Sequence, residues 1–425
     1  MLDPTGSSRP KLSTPARSSS AARPAFPIAP ARTVWASLCL LLGACSGGSV
    51  RGEPDAVPVP DPAALQLLGP GAHLYVQEAY EGFPVGVQTA VAGRYDELVA
   101  AGMDTSRVLV DWPDLEPTPG GYDFADLLDQ MDARAARGIL HQFVNLTIVD
   151  SAGPSAPASI EAHLAAGGAW GDPEVVDPLL ALLDALVPEL VLRGCFMVGL
   201  ANEPGGYYED DPGSAAGFDA LVGAAVDRIH EIEPRMACTV VFAGPADAGI
   251  AALMPLCDVA SFNMYAYELE LDAGCTLAGS PLLLWRSIAT QSAVAALLDS
   301  LEVPAGGRLI TIQEFGQAAG WDDLPETLGP LAGLSAQAAV FTALGAELEL
   351  RSDRFRAACI WTLNDHTRGG IGYVGDELTA QGLPECFADN IEEIFGPTGL
   401  VRSDASASVR PAFVEVRAAI ATLTQ

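Results

Sequence analysis

Lysine is almost absent. Lys11 is the single one in 425 residues, and it lies near the N-terminal end. The rest of the chain therefore cannot form a lysine Schiff base, which excludes aldolase-like and pyridoxal-phosphate chemistry, and it lacks the lysine base of enolase-like barrels. Histidine is scarce as well. His73, His141, His163, His230 and His366 are scattered, with neither His-x-His nor His-Glu-x-x-His spacing, so a zinc or di-metal hydrolase is not expected, nor is any cofactor. No Gly-x-Gly-x-x-Gly follows an apolar run, which counts against a doubly wound dinucleotide-binding sheet. No Cys-x-x-Cys suggests metal or redox work. Positive charge is short too: 22 basic residues face 54 acidic ones, for a formal charge of −32. Phosphate recognition needs basic surface, so nucleic acid is excluded as a natural partner.

The charge is unevenly placed. Residues 1–45 hold five of the basic residues and one acid, Asp3. Residues 1–33 are rich in Ser, Pro, Ala and Arg without apolar periodicity, the composition of a disordered segment. Next comes "TVWASLCLLLGACSGGS", whose apolar core of about ten residues is too short to span a bilayer and suits a signal peptide. It closes on Leu42-Gly43-Ala44-Cys45, which resembles the bacterial lipobox. That resemblance implies acylation at Cys45 and a lipoprotein on the outer face of a bacterial membrane; a plain secretory signal is the alternative. Residues 46–71, rich in Gly, Pro, Asp and Ala, read as a tether. Export implies an oxidising compartment. Of the later cysteines, Cys195, Cys238, Cys257 and Cys359 lie in or beside apolar runs and read as buried thiols. Cys275 and Cys386 lie in loops, where a bridge between them is the expectation.

Residues 72–425 alternate short apolar runs with longer amphipathic ones. Eight strands are expected, beginning at "HLYVQEA" (from 73), "RVLVDW" (107), "ILHQFVNL" (139), "FMVGLAN" (196), "CTVVFAG" (238), "DVASFNMY" (258), "RLITIQEF" (308) and "AACIWTL" (357). Runs rich in Val, Ile and Leu without strict alternation suit a parallel sheet covered on both faces. Eight strand–helix units over roughly 350 residues predict a (β/α)8 TIM barrel, α/β in class, whose active face lies at the strand C-termini. The connections after strands three, four, six and eight are the long ones.

On this count Glu203 closes strand four in "VGLANEPGG" and Glu314 closes strand seven in "RLITIQEFGQ". Both then enter the mouth of the barrel. A pair of carboxylates held in different protonation states is the machinery of retaining glycoside hydrolysis. Here the chain resembles the clan A glycoside hydrolases, in particular the catalytic barrels of families two and five. The matching residues are Asn202-Glu203-Pro204, Asn263-Met264-Tyr265, Glu314-Phe315-Gly316 and Trp361 in "CIWTLND". The segment "WPDLEPTPGGYDF" and the tail "GPTGLVRSD" are similar as well. The resemblance implies Glu203 as acid/base, Glu314 as nucleophile and Asn202 as donor to the sugar 2-hydroxyl. It further implies that Tyr265, with Asn263 in the same motif, bonds the nucleophile, that Trp361 floors the sugar subsite and that Arg107 supports Glu314. Trp112, Trp170, Tyr207 and Tyr208 are candidates for outer subsites. The expected partner is a carbohydrate, cleaved at a β-glycosidic linkage. Two other outcomes use the same barrel: a sugar-binding protein without catalysis, and a transglycosylase with the same residues.

Overall fold

The computed structural model describes residues 65, 68, 71–78, 85–151, 153–210, 213, 215–288, 290–319, 333–365, 378–380, 382–395, 398–403 and 406–424. Cys45, the extension 1–45 and most of the expected tether lie outside the described residues.

Eight parallel strands alternate with eight helices. In chain order they are β1 (His73–Gln77), α1 (Val85–Ala100), β2 (Thr105–Asp111), α2 (Ala125–Ala136), β3 (His141–Thr147) and α3 (Pro173–Leu192), followed by β4 (Cys195–Asn202), α4 (Phe218–Ile232), β5 (Ala237–Phe242) and the short α5 (Ile250–Leu253). The second part comprises β6 (Ala260–Tyr265), α6 (Gln291–Ala305), β7 (Ile310–Gly316), α7 (Leu334–Leu350), β8 (Phe355–Trp361) and α8 (Pro411–Leu423). The ladder runs β1-β8-β7-β6-β5-β4-β3-β2. β1 and β2 touch at the seam without sharing a ladder. The strands match the eight expected from the sequence. The longer helices bury one face: in α3, Leu179, Leu182, Leu183, Leu186, Val187 and Leu190 recur at steps of one, three and four, and all are buried. α6 shows both terminal devices. The Thr290 hydroxyl accepts the Ala293 N–H at 3.2 Å, and Gly306 closes the helix at φ +59°.

The barrel floor is apolar. Phe143, Phe196, Met197, Ala237, Val241 and Val259 form a cluster there, and Leu65 and Leu68 complete it. The chain thus joins the barrel before residue 72, within the segment expected to be a flexible tether. Above this floor a polar spine crosses the interior. The Thr239 hydroxyl donates to Ser261 (2.9 Å), Ser261 and Thr311 share a hydrogen bond (2.7 Å), and the Gln313 amide donates to Thr311 (2.8 Å). The Tyr75 phenol closes the run by donating to the Gln313 side-chain oxygen at 2.8 Å. Every member finds a partner, which is the condition for tolerating polar groups in a dry core.

A second, smaller core stands beside the mouth. The hairpin Tyr267–Leu277/Ser280–Ser287 follows β6, and the helix Glu385–Phe395 follows β8. They bury Tyr267, Leu284, Trp285, Phe387, Ile391 and Ile394 against each other. The Asn390 side chain serves as a strand partner for Trp285, accepting its N–H (2.9 Å) and donating to its carbonyl (3.1 Å). Cys275 and Cys386, 111 residues apart, form the expected disulfide across this unit. The other four cysteines of the barrel are free and buried, also as expected.

Candidate active site

β4 delivers Glu203 through a local break in regularity. Its register against β5 shifts between Gly199 and Asn202. Glu203 then takes φ +50°, in the left-handed region that a non-glycine residue adopts only when its surroundings hold it there. Its N–H is anchored on the Val241 carbonyl at 2.7 Å. β7 delivers Glu314 by a related device. The ladder to β6 shifts between Ile312 and Glu314, and such a bulge re-aims a side chain. The glycine that follows is required: a Cβ on Gly316 would come within 2.6 Å of the Tyr265 ring.

The two glutamates are the ends of one continuous chain of contacts. Arg107, fully buried, donates through Nη1 to Glu314 Oε1 (2.8 Å) and to the Gln313 carbonyl (3.0 Å), and through Nη2 to Asn202 Oδ1 (3.3 Å). Asn263 donates from Nδ2 to that same Asn202 oxygen (3.2 Å) and to Glu203 Oε1 (2.7 Å). On the other side of Glu314, the Tyr265 phenol donates to Oε2 at 2.5 Å. Burial, with the charges of Glu314 and Glu203, holds the Tyr265 pKa well above its ordinary value, so the phenol remains a donor. Trp361 ends β8, half-buried, with its carbonyl against Gly316 and a cis peptide to Thr362. Every barrel residue expected at the site therefore sits at a strand C-terminus except Arg107, which reaches the mouth from within β2.

The environments of the two carboxylates differ. Glu314 is buried and accepts from a guanidinium and a phenol, charge-assisted contacts suited to an anion. Glu203 has no ion pair among the described residues. The residue is half-buried with its carboxyl end desolvated, which pushes its pKa up to about 7; the charge of Glu314 adds to this, Asn263 opposes it, and Asp150 and Asp247 add further. Glu314 is thus supplied with donors, while Glu203 is set to hold a proton near neutrality. That division is what an acid and a nucleophile require.

Two loop elements join the site without having been expected. After β3, Asp150 pairs with Asn202 in the sheet and its Oδ1 accepts from the Asn202 amide at 2.9 Å. Ser151, at φ +23°, donates its N–H to the Asn202 carbonyl (2.9 Å) and its hydroxyl to Glu203 Oε2 (3.3 Å). After β5, Asp247 lies under the Glu203 turn. The only sequence signal for Asp150 and Ser151 was the length of the connection after β3, and Asp247 had none.

The aromatic candidates for outer subsites resolve differently. Trp112, Trp170 and Tyr207 are buried in the core, and Tyr208 packs against it. The Trp170 indole donates to the Tyr207 hydroxyl at 2.9 Å, and Phe218 packs edge-on to Trp170. Trp112 donates to Glu116 Oε2 (2.8 Å), whose other oxygen accepts the Gly120 N–H (2.8 Å). The "WPDLEPTPGG" segment is thus a folding lock rather than a sugar surface.

One group of possible metal ligands occurs among the described residues: His230, Cys238 and Asp258, with ligand atoms within 4.8 Å of one another at the barrel floor. Asp258 already accepts His230 Nε2 (3.0 Å) and the Cys238 N–H (2.8 Å). The imidazole also bonds the Met236 backbone, and its pKa is raised, chiefly by the Asp258 bond. An imidazole bonded to Asp258 and to the Met236 backbone accounts for this cluster as a hydrogen-bonded pair.

Compared by sequence, the chain matches no family model and no curated protein. Its fold, by contrast, has many counterparts. An exo-β-1,4-mannosidase from Opitutaceae bacterium strain TAV5 superposes with a TM-score of 0.52 at 16% identity over 83% of this chain, which spans only 60% of that larger protein. A GH5_18 variant from Streptomyces cattleya, in complex with Manβ1-4GlcNAc, gives 0.55 at 19% identity, covering 82% of this chain and 80% of the other. A GH5_18 variant from Bifidobacterium longum subsp. longum, in the same kind of complex, gives 0.55 at 13% identity, covering 83% and 78%. At these identities the similarity establishes the (β/α)8 barrel that the chain shares with glycoside hydrolases.

Proposed function

We propose that the chain is a retaining glycoside hydrolase that cleaves β-glycosidic O-linkages of oligo- or polysaccharides with Glu314 and Glu203. The observation that carries this reading is the contact chain Glu314–Arg107–Asn202–Asn263–Glu203, which ties two differently set carboxylates together at the strand C-termini. In the first step a Glu314 oxygen attacks the anomeric carbon. The bond to the leaving oxygen breaks and Glu203 gives that oxygen its proton. In the second, Glu203 takes a proton from water, the water oxygen attacks the same carbon, and the ester to Glu314 breaks. Two inversions leave the configuration unchanged. Tyr265 and Arg107 hold the nucleophile in line, Asn202 offers its amide to a sugar hydroxyl, and Trp361 supplies an apolar face for the ring.

The neighbours with mannose-containing ligands make β-mannosides the first substrates to try, followed by β-glucosides and β-galactosides. Turnover of the nitrophenyl glycosides is expected, with the β-anomer as first product by proton NMR. Because Glu203 must carry a proton, kcat/KM should fall as pH rises through about 7. An α-anomer as first product would refute the nucleophile assignment. Binding of sugars without any turnover would make the barrel a sugar-binding protein.

We further propose export with acylation at Cys45. The Leu42-Gly43-Ala44-Cys45 sequence supports it, and the Cys275–Cys386 bridge suits an oxidising compartment. Mass spectrometry of the mature protein should find a lipid-modified Cys45 at the N-terminus; an unmodified terminus elsewhere would overturn the anchor.

A further inference from the structure

Asp247 is a buried carboxylate for which the reaction, as described, has no use. It lies in the loop after β5 with 6% of its surface exposed. Its partners are backbone N–H groups rather than an arginine: Ala243 donates to Oδ2 (2.9 Å), Gly249 to Oδ1 (2.8 Å), and Gly205 donates as well. Two of these donors belong to the β5 loop, and the third belongs to the β4 loop, two residues beyond Glu203. The contact with that loop is tight. A Cβ on Gly205 would lie 2.6 Å from Oδ1, so glycine is required where the chain meets the carboxylate. Pro204 completes the seam by packing against Gly249. Burying a carboxylate is expensive, and an asparagine or serine could serve a simple loop contact at less cost.

We propose that Asp247 is a positioning residue for the acid/base. Its carboxylate latches the Glu203–Pro204–Gly205 turn onto β5, and its negative charge beneath that turn favours the protonated form of Glu203. The inference rests on the proposed role of Glu203 and adds a residue that acts through it. The groups arranged around Glu203 are Glu314 on β7, Asn263 and Tyr265 on β6, Arg107 on β2, Asp150 and Ser151 after β3, and Asp247 after β5. Those around Asp247 are Glu203, Tyr208 and Glu209. Burial pushes Asp247 itself up to about 6, so it is largely ionised at the midpoint of the Glu203 titration, near 7. Removing its charge must therefore lower the pKa of Glu203, and the basic limb of the pH profile moves to lower pH.

Asp247→Asn tests this by keeping the shape and removing the charge. With alkyl or sugar leaving groups, which need the proton most, kcat/KM should fall about tenfold to 100-fold. With nitrophenyl leaving groups the loss should be smaller, and the basic limb should move to lower pH for both. Gly205→Ala, which pushes the carboxylate off the turn without removing it, should show the same dependence on leaving group, and it carries the test if Asp247→Asn does not fold. A readout independent of turnover is the carboxyl-carbon NMR titration of Glu203, assigned by its loss in Glu203→Gln; in Asp247→Asn it should shift to lower pH. Equal losses for all leaving groups with unmoved titration would make Asp247 a structural loop residue only. If the wild type hydrolyses no glycoside, the proposed reaction fails by itself, and the NMR titration still decides whether Asp247 governs Glu203.

Discussion

Glu314→Gln is expected to lower kcat/KM by about 10⁴-fold or more, because the covalent step has no other nucleophile. The substitution keeps the volume of the side chain, and the amide oxygen can still accept from Tyr265. It cannot attack the anomeric carbon. Sugar binding should survive, since Asn202, Asn263 and Trp361 are untouched. Glu203→Gln should be milder and selective: about 10²- to 10⁴-fold for poor leaving groups, the usual span of general acid catalysis, and far less when a nitrophenolate departs unaided. Steady-state kinetics on one activated and one unactivated glycoside, with sugar affinity measured by calorimetry, separates the two roles. Comparable losses in both variants for both substrates would contradict the assignment of nucleophile and acid.

Arg107→Met should destabilise the fold by about 3–5 kcal/mol, the usual cost of removing one partner from a buried ion pair. Arg107 is 1% exposed and Glu314 8%, so the pair receives little help from solvent. The variant leaves the Glu314 carboxylate buried and without its cation, with only the Tyr265 phenol still donating to it. The double variant Arg107→Met/Glu314→Gln, which removes both charges, should recover much of the loss. Urea unfolding of the two single variants and the double measures this coupling. A cost below about 1 kcal/mol would mean that water reaches the pair and that it behaves as a surface contact.

Much of this site could be read in the sequence because it lies where regular elements end. An apolar run that stops at Asn202-Glu203-Pro204 or at Glu314-Phe315-Gly316 marks a strand C-terminus, and eight such runs in order fix which pole they share. The Tyr265 and Arg107 contacts to Glu314 followed from the same count, through the resemblance. The Cys275–Cys386 bridge was visible only as two loop cysteines among buried ones. Asp150, Ser151 and Asp247 were not legible, because their roles depend on how loops from β3 and β5 fold over β4, and no periodicity records that. Trp112, Trp170 and Tyr207 misled for the opposite reason. An aromatic beside a strand end has the same local sequence whether it faces a sugar or the core, and burial is decided by neighbours distant in the chain.

Leu65 and Leu68 fill the floor of the barrel, at the pole away from Glu203 and Glu314. The chain therefore enters the molecule from beneath, like the stem of a goblet. A resin or a fused partner that gripped the protein at Leu65 would hold it by the closed end, with the bowl at the opposite pole. A large ligand that could not pass beneath a protein held there would still reach the bowl from above. Attachment through the C-terminal helix α8, on the flank of the bowl, would not guarantee that orientation.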